Sequence, residues 1–204
     1  MMQMIDVDAT KIEQWAAETR QAAAEFHHEW DRLAVEWDGV LHKHSIVIEC
    51  GSFKGRWALQ IARRYRPYLY CFEPQEWAAA TTKTVLDRER LDCMVLPFGL
   101  WSKDEALPFF NQGTDGCTGG EMREIGRALG NLGIESIDLM LINIEGGEYT
   151  LIPHMFKQNI FPQRLMVQFH EGEYDNLREL IEQHYTILWD YGRTLAAFEL
   201  KREK

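Results

Sequence analysis

Basic residues are in short supply. Lys and Arg number 22 against 32 Asp and Glu, giving a formal net charge of −10 and a pI near 5.2. A chain this acidic is a poor candidate for gripping a phosphate backbone, where affinity comes from clustered Lys and Arg, so no nucleic-acid partner is expected. A small anionic ligand held by backbone N–H groups stays open. Cysteine is sparse too. Cys50, Cys71, Cys93 and Cys117 contain no Cys-x-x-Cys pair, and three of them sit in apolar runs. A chain of 204 residues can bury a core without disulfides. Free thiols in a reducing compartment are therefore expected. No charged-apolar-small signal peptide opens the sequence, and no apolar run approaches the roughly 20 residues of a membrane helix. These features point to a cytoplasmic protein with no membrane partner. Repeats, low-complexity tracts and a clear linker are also missing. What is present, 46% hydrophobic and 26% charged residues, fits one globular domain and excludes a disordered or fibrous chain.

Residues 10–37 read as one long helix, or two with a break. Thr10 and Glu13 fit a capping box. Ile12, Trp15, Thr19, Ala22, Phe26, Trp30, Leu33 and Trp37 recur at helical spacing on one face. That stripe is expected to pack the helix on the domain, with 1–44 forming a cap on a 45–204 core. His27, His28, His42 and His44 suggest a metal site at first sight. Adjacent His27 and His28 point about 100° apart on a helix, and His42-x-His44 lacks a third ligand nearby, so solvated histidines are expected.

From residue 45 onward strands and helices alternate. Strands are expected at 45–50, 68–72, 94–98, 137–144 and 165–169, and helices at 56–65, 75–87, 121–132, 148–157 and 174–184. Pro74 suits the first turn of the second of these helices. Residues 102–120, with Gly113, Gly116, Gly119 and Gly120, read as a long loop and a lid over substrate. Two strands at 185–190 and 195–200 form a terminal hairpin that adds one antiparallel strand. The pattern is that of a parallel sheet covered on both faces.

Ligands of such sheets sit beyond the carboxyl ends of the strands, where the strand order reverses. Those ends carry Glu49-Cys50-Gly51-Ser52-Phe53-Lys54-Gly55, then Glu73-Pro74, Gly99-Leu100-Trp101, Asn143-Ile144-Glu145-Gly146-Gly147-Glu148, and Gln168-Phe169-His170-Glu171. Gly51 lets a ligand approach the backbone, and Gly55 lets the helix pack close to the strand. The G-x-x-x-G spacing lacks the extra glycine that admits a pyrophosphate. Glu73, at the end of the next strand, is placed to accept both ribose hydroxyls of a nucleoside. Together these favour a nucleoside-type cofactor without pyrophosphate.

These segments resemble the class I S-adenosylmethionine-dependent methyltransferases and, within them, the FkbM family. The resemblance is carried by Val47–Gly55, Cys71-Phe72-Glu73-Pro74, Ile137-Asp138-Leu139 running into Ile142–Glu148, and Val167-Gln168-Phe169-His170. It implies a seven-stranded Rossmann-like three-layer sandwich and O-methylation of a sugar or other small hydroxylated metabolite. It implies S-adenosylmethionine as cofactor, held by Glu49, Gly51, Ser52, Phe53, Gly55, Glu73, Pro74, Gly99, Leu100, Trp101, Asn143 and Ile144. Glu148 and Gln168 are the implied substrate contacts. The chain departs from the family pattern at Leu141, Asn143 and Gln168, where the family shows lysine, aspartate and glutamate. Two carboxylates have become amides, so no divalent metal is expected, since hard cations want several carboxylate oxygens.

A hydroxyl acceptor benefits from a base. His170 is the first candidate, because an unperturbed imidazole is largely neutral at pH 7. Glu145 is the second. Arg63, Arg64 and Arg66 end a helix, where cations suit the dipole. Two alternatives stand beside the methyltransferase reading: a nucleoside-binding protein that has lost catalysis, and a nicotinamide-dependent oxidoreductase, which the glycine spacing disfavours.

Overall fold

The computed structural model describes residues 36–110, 117–170, 172–191 and 194–202, with Ala9, Thr10, Glu13, Gln14 and Ala17 ahead of them. β1 (Ile46–Cys50) feeds α1 (Arg56–Tyr65), and β2 (Tyr68–Phe72) feeds α2 (Glu76–Arg88) and β3 (Cys93–Leu96). β4 (Gly99–Trp101), β5 (Glu105–Phe110) and β6 (Cys117–Glu124) lead to α3 (Ile125–Asn131). β7 (Leu139–Ile142), α4 (Glu148–Lys157), β8 (Arg164–Gln168) and α5 (Tyr174–His184) follow, then β9 (Tyr185–Asp190) and β10 (Leu195–Leu200).

A seven-stranded sheet runs in the order β3-β2-β1-β7-β8-β10-β9. The pairs from β3 to β8 are parallel, and β10 lies antiparallel to both β8 and β9. The single reversed strand comes from the terminal hairpin, as the sequence implied. Alternate residues of each strand serve opposite faces. Val47, Leu69, Leu139 and Leu141 pack with Trp57, Leu59 and Ile61 of α1 and Val85 and Leu86 of α2. Ile48, Phe72, Met140 and Ile142 pack with Leu151, Ile152 and Met155 of α4 and Ile181 of α5. Two buried apolar clusters, one on each face, make a three-layer α/β sandwich.

The expected lid is different. β4, β6 and β5 form a second, three-stranded sheet, with β4 parallel and β5 antiparallel to β6. Residues 105–110 and 117–120 are therefore strands, and 111–116 lie outside the described residues. Glycine is a poor strand former, so Gly119 and Gly120 read as loop. Their pairing opposite Pro108 and Leu107 decides otherwise. The helix expected from 121 starts at Ile125, because the Glu124 carboxylate accepts from the Gly126 and Arg127 N–H groups at 3.0 and 2.8 Å and caps it there. Pro74 precedes the N-cap residue of α2, Gln75, and so lies outside the helix rather than in its first turn. Trp37 belongs to a turn over 36–40 and not to a helix. It is fully buried, its ring 6.3 Å from that of Trp189 on β9. Ala9, Thr10, Glu13, Gln14 and Ala17 are helical, and Glu13 pairs with Arg88 of α2. The rest of the aromatic stripe, with His27 and His28, lies outside the described residues. His42 and His44 are exposed, and among the described residues no helix is long and apolar enough to cross a membrane.

Candidate functional site

The chain leaves β1 for β2 and β3 on one side and returns through β7 and β8 on the other. The order reverses at β1, and the crevice there opens beyond the carboxyl ends of the strands. Adjacent ends are tied by backbone bonds. Gly51 N–H donates to the Phe72 carbonyl at 2.9 Å, Asn143 N–H to Cys50 at 3.0 Å, and Glu73 N–H to Leu96 at 3.1 Å. Glu73, Gly51 and Asn143, at the ends of β2, β1 and β7, thus form one row, and β8, the next strand, brings Gln168 and His170 to its far end.

Gly51 adopts φ +83°, and a Cβ there would lie 1.9 Å from the Asn143 carbonyl oxygen. The chain itself demands glycine at this point, whatever ligand comes near. Gly55, at φ +75°, lets α1 pack on α2 at Thr82, 3.0 Å from a notional Cβ, rather than on the strand. Between them Phe53 takes φ 46°, a left-handed conformation that costs a side-chain-bearing residue about 1–2 kcal/mol. Two bonds hold it: its N–H donates to Glu73 Oε2 at 2.8 Å, and its carbonyl accepts from Thr82 Oγ1 at 2.8 Å. The Phe53 ring stays half-exposed, edge-on to Trp77 with centroids 5.3 Å apart.

Glu73 is 3% exposed. Its other oxygen accepts from Gln75 N–H at 2.9 Å. A carboxylate offers about four acceptor positions, so each oxygen keeps one beyond its backbone bond. Burial pushes the Glu73 carboxyl up to about 7 against the pull of these N–H groups. Glu49, buried on the α1 side, is pushed up to about 8 by burial, despite the Cys71 thiol donating to it at 3.7 Å. Its carboxyl belongs to the layer beneath the crevice.

On the β7–β8 side, three groups converge on His170. Glu148 Oε1 accepts the His170 N–H at 2.8 Å and lies 3.1 Å from ring Nδ1. Glu148 Oε2 accepts Gly146 N–H at 3.0 Å. Glu145, at φ 52° and largely exposed, brings Oε2 to 3.5 Å from Nε2. The Tyr149 hydroxyl donates to the His170 carbonyl at 2.7 Å. The two base candidates thus meet in one place. Glu148 does not offer itself to a substrate: it is fully buried and holds His170. Asn143 Oδ1 is buried with no hydrogen-bond partner among the described residues.

Other expected residues sit around this row. Ser52 is buried beside Thr82. Gly99 passes close to Met122 and Pro74, and Ile144 presses on Gly51. Leu100 belongs to the core, 2% exposed. The Trp101 ring covers Gly147 at the start of α4, and its indole N–H donates to Glu105 at 2.8 Å. Gln168 stands half-buried at the last pair of β8 with β10. No local pattern marks Tyr149 or the inward turn of Glu148, because their partner lies 21 and 22 residues away. Cys50, Cys71 and Cys93 are free thiols.

No family model and no curated protein matches the chain. Solved structures do. An rRNA methylase from Streptococcus thermophilus is 18% identical over 87% of this chain and 96% of its own, with a TM-score of 0.56. A Klebsiella pneumoniae protein put forward as an O-methyltransferase is 14% identical over 98% and 93%, with a TM-score of 0.54. A Streptococcus mutans protein put forward as a methyltransferase, solved with S-adenosylhomocysteine, is 15% identical over 87% and 97%, with a TM-score of 0.53. The chain has the methyltransferase fold. In this fold the two halves of the row are chemically distinct, with a buried carboxylate at the β2 end and a histidine flanked by carboxylates at the β8 end.

Proposed function

We propose that the chain is an S-adenosylmethionine-dependent O-methyltransferase of the FkbM type, acting in the cytoplasm on a small hydroxylated metabolite or sugar. The observation that carries this reading is the buried Glu73 carboxylate with one acceptor position open on each oxygen, beside Gly51 at the point of strand reversal. The cofactor fits the residues present. Glu73 accepts two ribose hydroxyls, and the orphaned Asn143 Oδ1 accepts an ammonium N–H. Phe53, Pro74, Gly99 and Trp101 line the same end of the sheet. When bound, S-adenosylmethionine supplies a methyl group already activated on a sulfonium. The chain then has to hold the acceptor hydroxyl in line and remove its proton. His170 takes that proton, and Gln168 orients the acceptor by hydrogen bonding.

Calorimetry tests the cofactor: S-adenosylhomocysteine binds and NAD does not, and the reverse result selects the oxidoreductase. Product detection by mass spectrometry tests the acceptor, with sugars, other hydroxylated metabolites and total RNA offered separately. The net charge of −10 argues for the small molecules, and methyl transfer to RNA instead overturns that choice. Tight S-adenosylhomocysteine binding with no transfer selects the second reading, a cofactor-binding protein without turnover, which the amides Asn143 and Gln168 favour. With an acceptor in hand, His170→Ala lowers turnover by about 10²-fold or more and leaves cofactor affinity nearly unchanged. Activity lost to a chelator and restored by magnesium moves the role from His170 to a metal beside Glu145.

A further inference from the structure

Glu148 occupies an unusual place for a carboxylate at the start of a helix. It is fully buried, and two backbone N–H groups and one ring nitrogen converge on it. Gly146 N–H bonds Oε2 at 3.0 Å; His170 N–H at 2.8 Å and ring Nδ1 at 3.1 Å both reach Oε1. A capping or dipole role accounts for the Gly146 bond alone. It does not account for the grip on both the backbone and the ring of a residue 22 positions along the chain.

An ionised carboxylate only accepts hydrogen bonds, so the geometry favours the tautomer with the proton on Nδ1. A bare Nδ1 would set its lone pair against a buried anion. In that tautomer the lone pair is on Nε2, on the side of the ring toward Glu145. There Glu145 Oε2 lies 3.5 Å away, beyond hydrogen-bond length, on a side chain that is 81% exposed. Helix α4 clamps the histidine twice, through the Glu148 carboxylate and through the Tyr149 hydroxyl on the His170 carbonyl.

We propose that Glu148 is the positioning residue of a His170–Glu148 dyad, fixing the ring so that Nε2 is the base presented to the acceptor hydroxyl. This rests on reading the site as a methyltransferase. The acceptor O–H bond breaks and its proton goes to Nε2, while the oxygen forms the bond to the methyl carbon. The carbon–sulfur electron pair stays on sulfur, and the proton leaves His170 for water afterwards. Glu148 on one side and Glu145 on the other face the imidazolium and stabilise it in the interval. The arrangement gives the base a direction that a histidine at a strand end lacks by itself.

The dyad is testable on the full chain without any acceptor. Protein labelled with ¹⁵N-histidine is read by long-range proton–nitrogen correlation, with His170 assigned by loss of its signals in His170→Asn. The wild type shows the proton on Nδ1 and Nε2 bare. In Glu148→Gln the amide N–H₂ competes as a donor toward Nδ1, and the proton moves to Nε2 or divides between the nitrogens. Glu148→Asp keeps a carboxylate and restores the Nδ1 proton in part. Diethyl pyrocarbonate, used as a probe of bare Nε2, modifies His170 about tenfold more slowly in Glu148→Gln than in wild type. A wild-type ring protonated on Nε2 overturns the proposal even if Glu148→Gln fails to fold. So does a folded Glu148→Gln with wild-type tautomer and modification rate. S-adenosylhomocysteine calorimetry on the wild-type sample separates the two readings: no binding there defeats the methyltransferase reading and leaves the tautomer result standing on its own.

Discussion

Single residues at the row of strand ends carry opposite demands. Gly51 is fixed by the Asn143 carbonyl, so its replacement reports on folding before it reports on any ligand. Glu73 reports on the ligand, because its backbone bonds leave acceptor positions open. Glu73→Ala should weaken S-adenosylhomocysteine binding by about 1.5–3 kcal/mol, measured by calorimetry. With the folded carboxyl near 7, ionisation supplies the acceptors. Affinity should therefore strengthen as pH rises through about 7 and level off above it, and Glu73→Gln should remove that dependence. Equal wild-type affinity at pH 6 and pH 8 would count against the assignment. Glu49 makes the second residue-scale prediction. Its carboxyl titrates at an ordinary 4.5 when unfolded and near 8 when buried. Between those values the folded chain keeps a proton that the unfolded chain has released, so its contribution to stability declines as pH rises across the window. Glu49→Gln should flatten the fall in urea midpoint between pH 5 and pH 8.

Elements bring these residues together through their ends rather than their middles. Helix α3 begins where the Glu124 carboxylate takes two backbone N–H groups, and the same carboxylate meets His154 of α4 at 2.9 Å. One side chain therefore joins β6, α3 and α4 beside the second sheet. Glu124→Ala should cost about 1–2 kcal/mol in urea unfolding through loss of the cap. Glu124→Asp, whose shorter arm cannot span both contacts, should recover only part of it. The second sheet shows how pairing overrides propensity. Its glycines exclude a strand on local preference, yet a partner at matched register gives their backbone groups bonds that a loop would not.

Across the whole molecule, the reversed strand β10 decides how the sheet closes. It buries Ala196, Ala197 and Phe198 between β8 and β9 and so covers what would be an apolar edge beside the site. Trp37 anchors the chain ahead of β1 to this end of the sheet, buried against Trp189. Trp37→Ala should cost about 3–5 kcal/mol of stability. Deleting residues 1–37 should expose the same apolar surface and lower cofactor affinity with it. A truncated chain as stable and as tight for S-adenosylhomocysteine as the whole would show that Trp37 supports neither.

The sequence by itself determined the alternation of strands and helices, the residues at each strand end, and the reversed terminal strand. Those features follow from local periodicity: α1, β2, α4, α5, β9 and β10 match their expected bounds residue for residue. Tertiary structure decided what no local pattern encodes. It made strands of a glycine-bearing segment, drew Trp37 out of the helical stripe, and gave Gly51 and Gly55 their reasons in Asn143 and Thr82. It turned Glu148 inward onto a histidine 22 residues away. The physical reason is the same in each case. Periodicity reports which face of an element is apolar, whereas a buried carboxylate, a close approach or a strand partner depends on which other element arrives, and that is set only when the sheet is assembled.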